Sequence, residues 1–114
     1  MQTKKGMITM IGQLLHSGFI SSFPLNKIGD ADYDPWYVLT SNNQIINFTD
    51  SNGNKANLNS LFIEAENTNL YINIGGYVLY IPANESRNYD FQGIKSIQVM
   101  NNLGVKLRWS GLYF

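Results

Sequence analysis

The feature that most constrains this 114-residue chain is a pair of alternating apolar runs, NLYINI at 69–74 and YVLYI at 77–81, separated only by Gly75-Gly76. A two-residue glycine loop between alternating runs selects a β-hairpin, because glycine reaches the positive φ values that match the strands' right-handed twist. The loop also forces the register. Ile74 faces Tyr77, Ile72 faces Leu79 and Leu70 faces Ile81 on one side; Asn73 faces Val78 and Tyr71 faces Tyr80 on the other. The first side reads as core and the second as a mixed, aromatic surface.

A second pair of alternating runs, at 95–101 and 105–110, flanks Asn102, Leu103 and Gly104. A four-residue loop there would set apolar Ile97 against charged Arg108. A three-residue loop with Gly104 as its left-handed residue pairs Val99 with Leu107 and Ile97 with Trp109. It also sets Gln98 beside Arg108 and Met100 beside Lys106 on the outer face. A second hairpin is therefore expected, with Ile97, Val99, Leu107 and Trp109 buried together.

Further strands are expected at 36–40 and 44–49 around Ser41, Asn42 and Asn43, at 58–65 with Leu61, Ile63 and Ala65 on one face, and at 86–91. Residues 50–54 form a turn in which Asp50 bonds the local backbone, and 21–35 read as a loop. Residues 7–11 read as a strand; Ile8, Ile11, Leu15 and Phe19 also fit a helical stripe, which Gly12 and Gly18 oppose. Strands at this spacing, divided by turn chemistry, imply an all-β antiparallel β-sandwich, jelly-roll-like, over residues 24–114. Residues 1–23 are expected to form an extended N-terminal arm or an edge strand.

The length allows one domain. Zero net charge supplies no basic field for phosphate backbones, so no nucleic-acid partner is expected. Charged residues make up 14% of the chain against a usual quarter, few for guarding sheet edges, which points to edges covered by something else. Without cysteine there is no disulfide framework and no zinc-thiolate site. No apolar run is long enough for a membrane span, so no membrane partner is expected. Lys4 and Lys5 ahead of residues 7–15 look like a signal peptide. Thr9, Gly12, Gln13, His16 and Ser17 interrupt that run and no small-x-small site follows, so secretion is not expected.

Residues that carry chemistry elsewhere are poorly arranged here. Asp30, Asp32 and Asp34 have the opening spacing of a calcium loop, but Pro35 stands at its glycine position and Ser41 at its bidentate glutamate, so no metal is expected. Glu64, Glu66, Glu85 and Asp90 fall at strand ends or turns, as in any β-protein. His16 is the single histidine, and no serine stands in a nucleophile-elbow context. The expectation is a protein that is not an enzyme, with no catalytic residues and no cofactor. Candidate contact residues are Met7, Ile8, Met10, Ile11, Leu14 and Leu15 in the N-terminal segment, with Trp36, Tyr71, Val78, Tyr80, Met100 and Arg108. Aromatic residues, Met and Arg are the types enriched where proteins meet.

The succession LFIEAEN at 61–67, NLYINIG at 69–75, LYIPANES at 79–86, IKSIQV at 94–99 and GVKLRWSG at 104–111 resembles small β-sandwich structural proteins of tailed-phage virions. The likeness lies in a hydrophobic strand, a Tyr-Ile-x-Ile-Gly hairpin, a Pro-x-x-x-Ser bend and a closing Gly-x-Lys-x-x-Trp strand. It covers the C-terminal half. The resemblance implies a capsid-associated decoration, cement or head-fibre-base subunit, or a tail component. Its partners would be other virion proteins and further copies of itself, assembled in the host bacterial cytoplasm and located in the virion. A second class stays open: a tail- or adhesion-associated carbohydrate-binding module, for which the tyrosine face and Asn-rich loops would hold a polysaccharide.

Overall fold

The computed structural model describes residues 18–22 and 34–113. Among them the chain forms only strands: β1 (Gly18–Ser21), β2 (Tyr37–Val38), β3 (Gln44–Asn47), β4 (Leu58–Ala65), β5 (Leu70–Ile74), β6 (Tyr77–Ile81), β7 (Ser86–Tyr89), β8 (Ser96–Val99) and β9 (Lys106–Tyr113). The strand expected at 7–11, the contact candidates Met7, Ile8, Met10, Ile11, Leu14 and Leu15, and two of the loop aspartates, Asp30 and Asp32, lie outside the described residues.

The strands divide into two antiparallel sheets. One runs β1-β9-β4-β7, with β2 set against the same edge of β9 as β1; the other runs β3-β8-β5-β6. β1 pairs with residues 110–113 of β9 and β2 with Lys106 and Leu107, so together they line that edge end to end. This interleaved order is a jelly roll, as the sequence pattern implies.

The inner faces follow the alternation. Leu58, Leu61, Ile63, Ala65, Leu107 and Trp109 project from the first sheet, and Ile46, Leu70, Ile72, Ile74, Ile81, Ile97 and Val99 from the second, all buried. Leu39, Phe48, Ala56 and Ile94 from the connections join them. No polar or charged side chain among the described residues is buried in this interior. Each fully buried Leu or Ile contributes about 1.5–3 kcal/mol. At Gly111 the sheet closes too tightly for any side chain: a Cβ there would lie 2.6 Å from Leu58 Cδ1 and 2.9 Å from the Ser60 carbonyl, beside the register shift between Leu58 and Ser60.

The β5–β6 hairpin has the expected register at every pair, with Gly75 and Gly76 at φ 57° and 92°. The second expected hairpin does not exist. Ile97 faces Ile46 and Val99 faces Gln44 and Ile72, whereas Leu107 faces Ala65 and Tyr37 and Trp109 faces Ile63. Gln98 lies beside Ile45 and Asn73, and Arg108 beside Glu64. The four apolar residues do share one core, but from opposite sheets. The cause lies in the connection. Gly104 takes the left-handed conformation (φ 89°), yet its N–H goes to the Leu39 carbonyl and the Val105 carbonyl takes the Leu39 N–H. Asn42 Oδ1 receives the Leu103 N–H, and the Asn101 carbonyl receives the Asn43 N–H. The β2–β3 and β8–β9 connections thus run side by side as a double corner, carrying both from sheet to sheet.

Two further corners work the same way. Between β4–β5 and β6–β7, Asn84 donates to the Glu66 carbonyl, Ala65 to the Glu85 carbonyl, and Ala83 to Asn69 Oδ1. Between β3–β4 and β7–β8, Leu58 and Ile94 exchange both backbone bonds while Phe48 donates to Lys95. Asp50 organises the 50–54 turn, its Oδ1 receiving the N–H groups of Asn52 and Asn54.

Candidate functional site

The contact candidates within the described residues fall on two opposite surfaces. Tyr71, Val78 and Tyr80 lie on the outer face of the β3-β8-β5-β6 sheet, 44%, 61% and 50% exposed. Adjacency across the hairpin brings the two tyrosine rings to 5.5 Å between centroids, tilted by 41°. Met100 extends this group, since its N–H bonds the Tyr71 carbonyl and alternation from buried Val99 turns its side chain outward.

Among the described residues, the outward strand positions of this sheet are uncharged. Its strand residues are Ile45 and Asn47 from β3, Ser96 and Gln98 from β8, Tyr71 and Asn73 from β5, and Val78 and Tyr80 from β6. The register lines up Ile45, Gln98, Asn73 and Val78 as one row across all four strands. Exposed Ile45 was missed in the sequence reading, although two successive isoleucines in a strand require one to point outward. The amides of the row are partly committed: Asn73 Oδ1 receives the Gly76 N–H, and Gln98 Nε2 donates to the Asn43 carbonyl.

Trp36 and Arg108 sit on the other sheet. Alternation turns Tyr37 inward, 5.0 Å from Trp109, and leaves Trp36 outward with the Arg108 guanidinium 4.7 Å above its ring. Arg108 also forks onto Glu64, Nε to Oε1 at 3.0 Å and Nη2 to Oε2 at 2.7 Å, across the β9–β4 pair. Such a bidentate pair is geometrically strong, and here it joins neighbouring strands. Asp34 caps the same area, accepting the Trp36 N–H and lying 3.8 Å from Lys106 Nζ. The structure therefore unites Tyr71, Val78, Tyr80 and Met100, and separately Trp36 and Arg108; it does not bring the two groups together.

One residue departs from its expected setting. Tyr77 projects on the inward side of the hairpin but is 74% exposed, lining an open cleft of about 340 Å³ with Ile74, Phe91, Gly93, Ile94 and Lys95. Pairing rules assign a side chain to a face, but they do not say where the opposite layer ends. Among the described residues no three His, Asp or Glu side chains stand together as a metal-binding group.

The asparagines also acquire definite duties. Asn101 Oδ1 accepts the Tyr71 N–H and its Nδ2 donates to the Asn69 carbonyl; Asn43 and Asn84 take positive φ at their turns. The Asn-rich loops are thus largely the corners of the fold.

Neither a family model nor a curated protein matches the sequence. Solved structures with a similar backbone include an RmlC-like cupin from Shewanella frigidimarina, at 14% identity and a TM-score of 0.37 over 52% of this chain and 51% of that one. An ethanolamine utilization protein Q from Salmonella typhimurium is similar at 10% identity and a TM-score of 0.45, over 83% and 68% of the two chains. The Tobacco streak virus coat protein is similar at 12% identity and a TM-score of 0.41, over 86% and 85%. The chain spans about half the length of the first of these. At such identities the likeness is one of fold alone, an antiparallel jelly-roll β-sandwich.

Proposed function

We propose that this protein is an assembly subunit acting through protein–protein contacts, with the uncharged outer face of the β3-β8-β5-β6 sheet as its contact surface. The role implied by the sequence resemblance is that of a capsid-associated decoration, cement or head-fibre-base subunit of a tailed phage. The observation that carries the reading is that face. Every outward strand residue on it is neutral, and Ile45, Tyr71, Val78 and Tyr80 are all exposed. Depletion of charge with enrichment of tyrosine and aliphatics marks the centre of an interface rather than a solvated sheet.

The doubly charged variant Tyr71→Lys/Tyr80→Lys tests it. Both positions are exposed, so the domain keeps its circular dichroism and melting behaviour while losing association with itself or with purified particles, read by sedimentation velocity and co-sedimentation. Unchanged association would overturn the reading. Polysaccharide binding by a monomeric wild type, abolished by the same variant, would favour a carbohydrate module instead. With the tyrosine pair tilted and the asparagines committed to corners, that second outcome has less support.

A further inference from the structure

We infer that β6 is the open edge through which two copies of this chain join into one continuous sheet, pairing β6 with the partner's β6 antiparallel about Leu79. The inference rests on the assembly reading and names its partner: a second copy.

Residues 74 and 77 flank a two-residue loop and form a hydrogen-bonded pair, so alternation makes Ile72 with Leu79 and Leu70 with Ile81 hydrogen-bonded as well. Val78 and Tyr80 therefore aim their N–H and C=O groups away from β5, and among the described residues β6 ends its sheet. Strand edges of this kind are usually blunted by charge or proline. The other edge strand at this side of the sandwich, β7, is guarded by Arg87, ion-paired with Glu85 at 3.6 Å. β6 instead reads Tyr-Val-Leu-Tyr-Ile, with exposed side chains at 77, 78 and 80.

The ends of the strand select the register. At one end the Gly76 N–H is taken by Asn73 Oδ1 at 3.0 Å; at the other, Pro82 has no N–H. A pairing centred on Val78 would need the Gly76 donor, and one centred on Tyr80 would need a donor at Pro82. Centring on Leu79 sets Val78 against the partner's Tyr80 and Tyr80 against the partner's Val78. Each outward N–H and C=O of these residues is then satisfied, with a two-fold axis normal to the sheet. The same register sets Tyr77 against the partner's Ile81, which gives the exposed ring a neighbour. The two uncharged outer faces become one.

The chain has no cysteine, so a single introduced thiol reports the geometry without interference. Leu79→Cys meets its own copy as a non-hydrogen-bonded pair, at a Cα separation of about 4.5 Å that suits a disulfide. In the full chain, mild oxidation is expected to give a covalent dimer for Leu79→Cys at least tenfold faster than for Tyr77→Cys. Val78→Pro removes an outward N–H without touching the β5 ladder, and should weaken self-association at least tenfold. In the unmodified chain, amide exchange at Val78 and Tyr80 should slow as concentration rises. Equal cross-linking of the two thiols overturns the register. Self-association without protection of these amides overturns the edge pairing but leaves the face as the contact. A chain that stays monomeric at all concentrations overturns the edge pairing too, and only loss of binding to other particle proteins in the charged-face variant then decides the assembly reading.

Discussion

Trp109 is the side chain on which the two sheets and their corners converge. Tyr37 of β2 meets its ring edge-on at 5.0 Å and Phe48 of the β3–β4 connection at 6.3 Å, so one strand residue and one connection residue both pack on a single indole. Trp109→Ala should lower unfolding free energy by about 3–5 kcal/mol, as large-to-small core changes do, measured by urea titration. An unchanged midpoint would show that the ring is dispensable. Tyr89 supplies a pH-dependent test. Burial raises its hydroxyl pKa above the ordinary value, opposed by the nearby Arg87 charge. The folded state then keeps a proton that the unfolded chain has lost. Its contribution is complete below an ordinary value of about 10 and is lost as pH rises through the folded pKa. Melting temperatures of wild type and Tyr89→Phe, compared from about pH 8 to 11, should diverge on the alkaline side, the wild type falling faster. The burial of Ile97, Val99, Leu107 and Trp109 was legible at this scale because strand alternation needs no knowledge of partners. The exposure of Tyr77 was not legible, since it depends on where the facing layer stops.

At the scale of elements, β9 organises the molecule: it pairs along its length with β4 and receives β1 and β2 on its other edge. The β5–β6 hairpin could be read from sequence because a two-residue loop leaves its strands no alternative. The 101–105 segment could not, because the same left-handed glycine that closes a hairpin also serves a corner. What decides between them is Leu39 and Asn42, some sixty residues away in the chain. Asn101 shows how the corners hold. Its side chain bonds the Tyr71 N–H at 3.1 Å and the Asn69 carbonyl at 2.8 Å, tying the β8 exit to the β5 entry. Asn101→Ala removes the amide that serves both the Tyr71 N–H and the Asn69 carbonyl, and a loss of about 1–3 kcal/mol is expected from the groups left unpaired. Hydrogen exchange should locate the effect at Tyr71, and an unaltered exchange rate there would refute the clamp.

For the whole molecule, the question is what the strand-forming core leaves for assembly to use. Residues 18–21 form β1 on the edge of β9, and Gly18 lies so close to Tyr113 that a Cβ would come within 2.5 Å of its hydroxyl oxygen. A truncation intended to spare the sandwich must therefore stop before Gly18. Ahead of it the sequence places Met7, Ile8, Met10, Ile11, Leu14 and Leu15, more apolar side chains than a solvated terminal segment ordinarily carries. If these residues help to anchor the subunit, deletion of residues 1–17 should leave the melting transition in place while lowering occupancy in the assembled particle or oligomer. Many weak contacts repeated over many copies multiply, so the loss should be steep rather than proportional. Combining the deletion with Tyr71→Lys/Tyr80→Lys separates the two surfaces: a further drop in co-sedimentation means that each contributes. Full occupancy of the truncated protein would remove the N-terminal segment from the interface and leave the tyrosine face to carry the contact alone.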